Sequence, residues 1–150
     1  MIDFEPTEEQ QLIVETIRQF AANEIRPAAR ECDESGVLPD AVLGAAHELG
    51  LVANALDEVH GGGGERSALT AALIAEELAW GDLSIALAIL SPSLLALPIQ
   101  DCGSEEQKAK WLPAFAGDRF VPGALAAAEP DFASDAFAPS TRARTAASTG

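Results

Sequence analysis

Residues 102–113 read Cys-Gly-Ser-Glu-Glu-Gln-Lys-Ala-Lys-Trp-Leu-Pro. Ser104 with Gln107 three places on is a capping box. The hydroxyl accepts the N–H of the third helical residue, and that residue's side chain answers the N–H of the cap. Glu105 and Glu106 put negative charge at the positive end of the helix dipole. Lys108, Trp111, Leu112 and Phe115 continue the helix, and Gly117-Asp118 ends it. The same device opens the chain as Thr7-Glu8-Glu9-Gln10. From it Ile13, Ile17, Phe20 and Ala21 make one apolar stripe at helical spacing. Pro27 is where this first helix kinks, or restarts toward Cys32.

The residues between the two boxes also read as helices. A second runs from Pro39 to Leu49, with Pro39 in its first turn and Gly50 as its stop. Leu51 to Asp57 is a connector, and His60 with Gly61-Gly62-Gly63-Gly64 is a loop. A third helix spans Ser67 to Trp80, with Leu69, Leu73, Ile74, Glu77 and Trp80 at helical spacing. Glu77 is expected at the rim of that face. Gly81-Asp82 breaks the pattern, and a fourth, strongly apolar helix follows to about Leu97. Pro92, Pro98 and three serines interrupt the stretch Leu83 to Ile99. It is expected to be a bent, buried core helix, since a membrane span needs roughly 20 mostly apolar residues. Beyond Gly117-Asp118 the character changes. Val121 to Ala128 is small, apolar and extended, Glu129-Pro130 is a break, and Ala138 to Gly150 has no periodicity.

The chain has 150 residues, 48% hydrophobic and 22% charged. That is one domain or a piece of a larger one, with too much apolar content for a disordered chain. Its net charge of −15 repels a nucleic-acid backbone and an anionic membrane surface. An anionic small ligand remains open, because backbone N–H groups and a few arginines can bind one locally. Cys32 and Cys102 form no CxxC and fit a reducing, cytoplasmic setting. No metal set is expected, since His47 and His60 lie far from both thiols in sequence. The N-terminus is acidic and lacks the pattern of a signal peptide.

The glycine run is not a phosphate loop. Glu65-Arg66 follows it where Lys and a hydroxyl residue are needed, and its flanks are helical. It reads as a structural turn. His47 reads as a partly buried structural histidine, and His60 as a turn or cap residue. The acids cluster at helix starts, where they cap and solvate. The run Ala124 to Asp135 is different. Its small residues would let backbone N–H and C=O groups approach a flat ligand, or would pack a strand closely on a helix.

The order of these pieces resembles the acyl-CoA dehydrogenase family of flavoproteins. Phe20-Ala21 followed by Ile25-Arg26-Pro27-Ala28-Ala29 resembles the family's first helix. Leu49-Gly50-Leu51 with His60-Gly61-Gly62 resembles its next helix end and glycine turn. Ile74-Ala75-Glu76-Glu77-Leu78-Ala79 resembles the helix after that. Cys102 to Lys108 with Trp111-Leu112-Pro113 resembles its G-T/S-E-E-Q-K…Y/W-L-P signature. Ala128-Glu129-Pro130 with Ser134-Asp135 resembles its flavin loop, T-E-P-G-A-G-S-D.

The resemblance implies a mainly α fold: an N-terminal helical domain of five or six helices over 1–118, then the first strand and entry of a β-domain over 119–150. It implies oxidation of an acyl-CoA thioester to the trans-2-enoyl-CoA, with α-proton removal by a base and β-hydride transfer to FAD. Electrons would pass to an electron-transfer flavoprotein, in a homo- or hetero-oligomer. Leu125, Ala127, Ala128, Ala133 and Ser134 match flavin-contacting positions, and Ser134 also meets the CoA side. Leu90, Leu94 and Leu95 fall on the helix that lines the acyl tail, with core packing the competing role of each. The catalytic glutamate and the second flavin segment are expected beyond residue 150, so no base is assigned here.

Two positions depart from the pattern. Ala128 stands where a threonine is usual, which removes a hydroxyl. Asp131-Phe132-Ala133 stands where Gly-Ala-Gly is usual, which adds a charge, a ring and a methyl group. They motivate a second expectation, that of a non-catalytic subunit or scaffold of the same family partnering a catalytic one.

Overall fold

A computed structural model describes residues 5–126, 129, 138 and 140–142. Both capping boxes form. Thr7 Oγ1 accepts from Gln10 N and Gln10 Oε1 from Thr7 N, and Ser104 and Gln107 repeat the exchange. They open α1 (Glu8–Phe20) and α7 (Glu105–Trp111). Between them lie α2 (Arg26–Ser35), α3 (Asp40–Glu48), α4 (Ala68–Gly81), α5 (Leu83–Leu90) and α6 (Ser93–Cys102). The expected mainly α domain is present.

At Pro27 the α-helix restarts, as expected, with the proline in the first turn of α2. α1 runs through a π turn, Ala21–Ile25, directly into α2. Pro27 has no N–H to give the carbonyl four residues back. One turn earlier the ladder has already widened, with Arg26 N–H bonded to Ala21 O. The wide turn carries Ala21 and Ile25, both fully buried. The end of α4 comes close here: a Cβ at Gly81 would stand 2.8 Å from Ile25 Cγ2. Glycine is therefore required for this crossing.

The expected fourth helix is two. α5 ends at Leu90, and Ser91-Pro92 turn into α6. Asp82 starts α5 by accepting from Ile85 N with its side chain. The pair is bent, as expected, but it is not a buried core helix throughout. Ile85, Ala86, Ile89 and Ala96 face the core, whereas Leu83, Leu87, Leu94 and Leu95 face outward. The stretch Leu83–Cys102 is long and apolar enough to cross a membrane by length and composition, yet only 28% of its most apolar window is buried within the chain.

Two apolar clusters hold the domain. The larger joins α1, the π turn, α3, α4 and α5 through Ile17, Ile25, Val42, Leu78 and Ile85. The smaller joins the connector after α3 to α6 and to the 3-10 turn that follows α7, through Val52, Leu56, Ala96, Leu112 and Phe115. Among the described residues no strand is formed. Val121 to Ala126 is irregular, because a strand needs a ladder partner and the described residues supply none. The expected first strand therefore has no counterpart there, and Ala127 and Ala128 lie outside the described residues.

Candidate functional site

The chain leaves the helical domain along residues 117–123, and two contacts guide it. His47, in the last turn of α3, lies 2.6 Å through Nε2 from the carbonyl of Gly117. Its ring meets Phe120 edge to face, centroids 6.5 Å apart. Further on, Gly123 N–H donates to Ser91 Oγ at the α5–α6 junction, 3.4 Å away. The approach is close: a Cβ at Gly123 would stand 2.7 Å from Ser91 O and 3.1 Å from Leu95 Cβ. Only glycine fits without a shift. Between the two contacts, Phe120 and Val121 roof a small cavity floored by Val52, Ile89 and Phe115.

This path brings together two groups that the sequence keeps apart. Leu95 belongs to the candidate acyl face, and Gly123 leads two residues on to Leu125. Leu94, Leu95 and Leu125 are all exposed, the last at 59%. Leu90 packs against the larger apolar cluster and is half-buried. Ala124 and Ala126 are exposed beside Leu125. Ala127, Ala128, Ala133 and Ser134 lie outside the described residues.

The glycine loop is a turn, held from three sides. Gly62 lies against Leu56, where a Cβ would stand 2.1 Å from the carbonyl oxygen. Gly61 and Gly64 have positive φ, 88° and 73°, which glycine adopts without strain. Beneath it, buried Gln100 accepts from Asp57 N at 2.8 Å and donates to Ala55 O at 3.2 Å. Beyond the loop, Arg66 and Asp101 meet as a two-pronged pair. Those hydrogen bonds hold the Asp101 carboxyl below its usual range and the Arg66 guanidinium above its own.

Glu77 is not at the rim. It is buried at 5% exposure and paired with Arg18. The roles of Gln100, Ser91 and Gly123 were not anticipated. A lone amide in an apolar helix was a usable signal for the first. The other two emerge only where distant segments meet.

Glu129 lies at the head of the loop motif. Its carboxylate accepts from Ser140 N and Oγ and from Thr141 N. These bonds, led by the Ser140 hydroxyl, hold its pKa down to about 2.

Residues 7–119 match the family model described as acyl-CoA dehydrogenase, N-terminal domain. The chain is 41% identical to a cyclohex-1-ene-1-carbonyl-CoA dehydrogenase of Geobacter metallireducens, over 91% of this chain and 36% of that protein. It is similar in structure to butyryl-CoA dehydrogenase of Megasphaera elsdenii, with a TM-score of 0.75, 30% identity, and 90% and 36% of the two chains covered. A chain in the structure of the electron transferring flavoprotein of Acidaminococcus fermentans gives a TM-score of 0.76 at 31% identity, covering 91% and 36%. The chain spans about a third of the length of the proteins it matches.

Proposed function

The chain belongs to the acyl-CoA dehydrogenase family, and from that premise we propose that it serves the FAD-dependent α,β-dehydrogenation of an acyl-CoA thioester. The observation that carries the reading is the junction at Gly123. There the segment leading to Leu125 lies on the helix pair whose outer face carries Leu94 and Leu95. A flat cofactor edge and an apolar tail would meet at such a junction.

The residues present fit one edge of a flavin. Ala124, Leu125 and Ala126 are exposed, and two of the three have only a methyl side chain. A planar ring can therefore come close to their backbone. Leu125, with Ala127, Ala128, Ala133 and Ser134, would hold FAD, which when bound supplies the hydride acceptor. Leu94 and Leu95, backed by Leu90, would exclude water from the acyl tail, and Ser134 would meet the CoA side. The base for the α-proton is assigned to no residue of this chain. It would come from the part of the protein that corresponds to the rest of its relatives' length.

The likeness to a chain in an electron transferring flavoprotein structure supports such a flavoprotein as electron acceptor. Association into a homo- or hetero-oligomer and a cytoplasmic setting complete the proposal.

The test uses the protein expressed from its own gene. Flavin absorption bands that bleach anaerobically on adding an acyl-CoA are the expected result. A stable complex with a second dehydrogenase-like chain, holding less than one FAD per chain, would replace this reading by that of a non-catalytic subunit. The departures at Ala128 and Asp131-Phe132-Ala133 motivate that arm. A protein with neither flavin nor acyl-CoA affinity would overturn both.

A further inference from the structure

We infer that His47 is a positioning residue: it sets the register in which residues 117–123 leave the helical domain, and so where Leu125 is delivered beside α6. The carbonyl of Gly117 can only accept, so the imidazole presents its Nε2–H to it. The bond joins residues far apart in sequence and lies at the surface end of α3. The same ring braces Phe120, so one side chain touches the exit segment at two points three residues apart. Gly123 then drops against Ser91 O and Leu95 with no room for a Cβ. A segment free to slide by one residue would place Arg119 over the small cavity, or Ala124 against Ser91. The first sets a charged side chain where Phe120 now covers apolar Val52, Ile89 and Phe115, and the second drives a methyl group into a carbonyl. The His47 contact selects the register that avoids both.

This role is separate from catalysis, because His47 touches neither Leu94, Leu95 nor Leu125 in the contacts above. Its consequence for a flavin rests on the proposed function, whereas the register itself does not. The test is therefore made on the protein expressed from its own gene, held without cofactor. Two variants are compared with it by ¹⁵N relaxation and circular dichroism. H47L removes the N–H and keeps an apolar side chain over the cavity. H47Q keeps an N–H donor of similar reach. For H47L, order parameters over Arg119–Gly123 are expected to fall from the rigid range, about 0.85, to below about 0.6. The values for α1 and α4 should stay put, and H47Q should recover most of the loss. The decisive site is the Gly123 amide, remote from position 47 in sequence but at the far end of the clamped segment. Unchanged order at Gly123 in H47L would overturn the inference, as would equal loss in H47Q. A protein that proves not to bind FAD would leave these outcomes intact and count only against the flavin reading.

Discussion

Arg18 and Glu77 meet fork to fork, Nε to Oε2 at 2.6 Å and Nη2 to Oε1 at 2.7 Å. The pair is lopsided. The Glu77 side chain is 7% exposed and the Arg18 side chain 61%. α4 carries a carboxylate inward, and α1 reaches over to neutralise it. Nearby, Trp80 receives Arg26 at 4.6 Å from its ring centroid and Arg18 at 6.0 Å. Arg26 also donates to Trp80 O. Together these contacts fasten α1 and the start of α2 to the end of α4.

The lopsided burial makes the two partners unequal. Arg18→Ala strands a buried carboxylate, whereas Glu77→Gln leaves an exposed guanidinium that water can solvate. The loss of urea midpoint should be roughly twofold greater for R18A than for E77Q, since an unpaired buried charge is the costly product. Equal losses would mean that the carboxylate is reached by water. Adding E77Q to R18A should recover part of the loss, because the charge needing a partner is gone.

Gln100 joins two backbone groups of the connector to α6. Gln100→Leu keeps the volume but leaves Asp57 N and Ala55 O without that partner. Destabilisation by about 1–2 kcal/mol is expected, the cost of leaving two partly buried backbone groups unpaired. Urea denaturation reads the total, and amide exchange at Asp57 shows where it arises. A change under a few tenths of a kcal/mol would show that water replaces the amide at once.

Two glycines should respond in opposite directions to alanine. Gly44 lies within α3 with nothing within 4 Å of a built Cβ. G44A should stabilise by about 0.5–1 kcal/mol, by cutting unfolded-chain entropy and raising helix propensity. At Gly62 the new methyl would collide with the Leu56 backbone. G62A should destabilise by about 1–3 kcal/mol, as overpacking does. Thermal melts of the two variants give the signs directly.

The Glu129 contact should survive into strong acid. Its pKa of about 2 lies below the ordinary 4.5. The contact therefore adds stability that is fully present above pH 4.5 and is lost as pH falls through about 2. The amide resonances of Ser140 and Thr141 should hold their positions down to about pH 3 and move together below it. Movement centred near pH 4.5 would show that the carboxylate is free in solution. Glu129→Gln should abolish the low-pH step.

Much of the helical domain was legible in the residues. Both capping boxes depend only on hydroxyl, amide and backbone within one turn, so Thr7–Gln10 and Ser104–Gln107 form as read. The stripe Ile13, Ile17, Phe20, Ala21 found the larger core, since a period of 3.6 needs no knowledge of the partner. The breaks were harder. Pro27 was legible as a disturbance, but the π turn was not. Where a ladder widens depends on which turn gains by burying Ala21 and Ile25 against Gly81. Ser91-Pro92 divides the apolar stretch in two for a similar reason: proline limits the chain locally, and packing decides whether the helix bends or stops.

That this is a helical domain, where most of its helices begin, and which family it resembles can all be read from the residues in order. These follow from interactions within a few residues and from an ordered set of short motifs. Packing between distant segments is what puts Glu77 under Arg18 and lets Gln100 tie the connector down. It also lays Gly123 on Ser91 beside Leu95, with His47 holding the way out of the domain. Each of these joins residues tens of positions apart, and no local propensity encodes such a distance. Their energies come from groups that only folding brings within hydrogen-bond reach, some of them partly shielded from water.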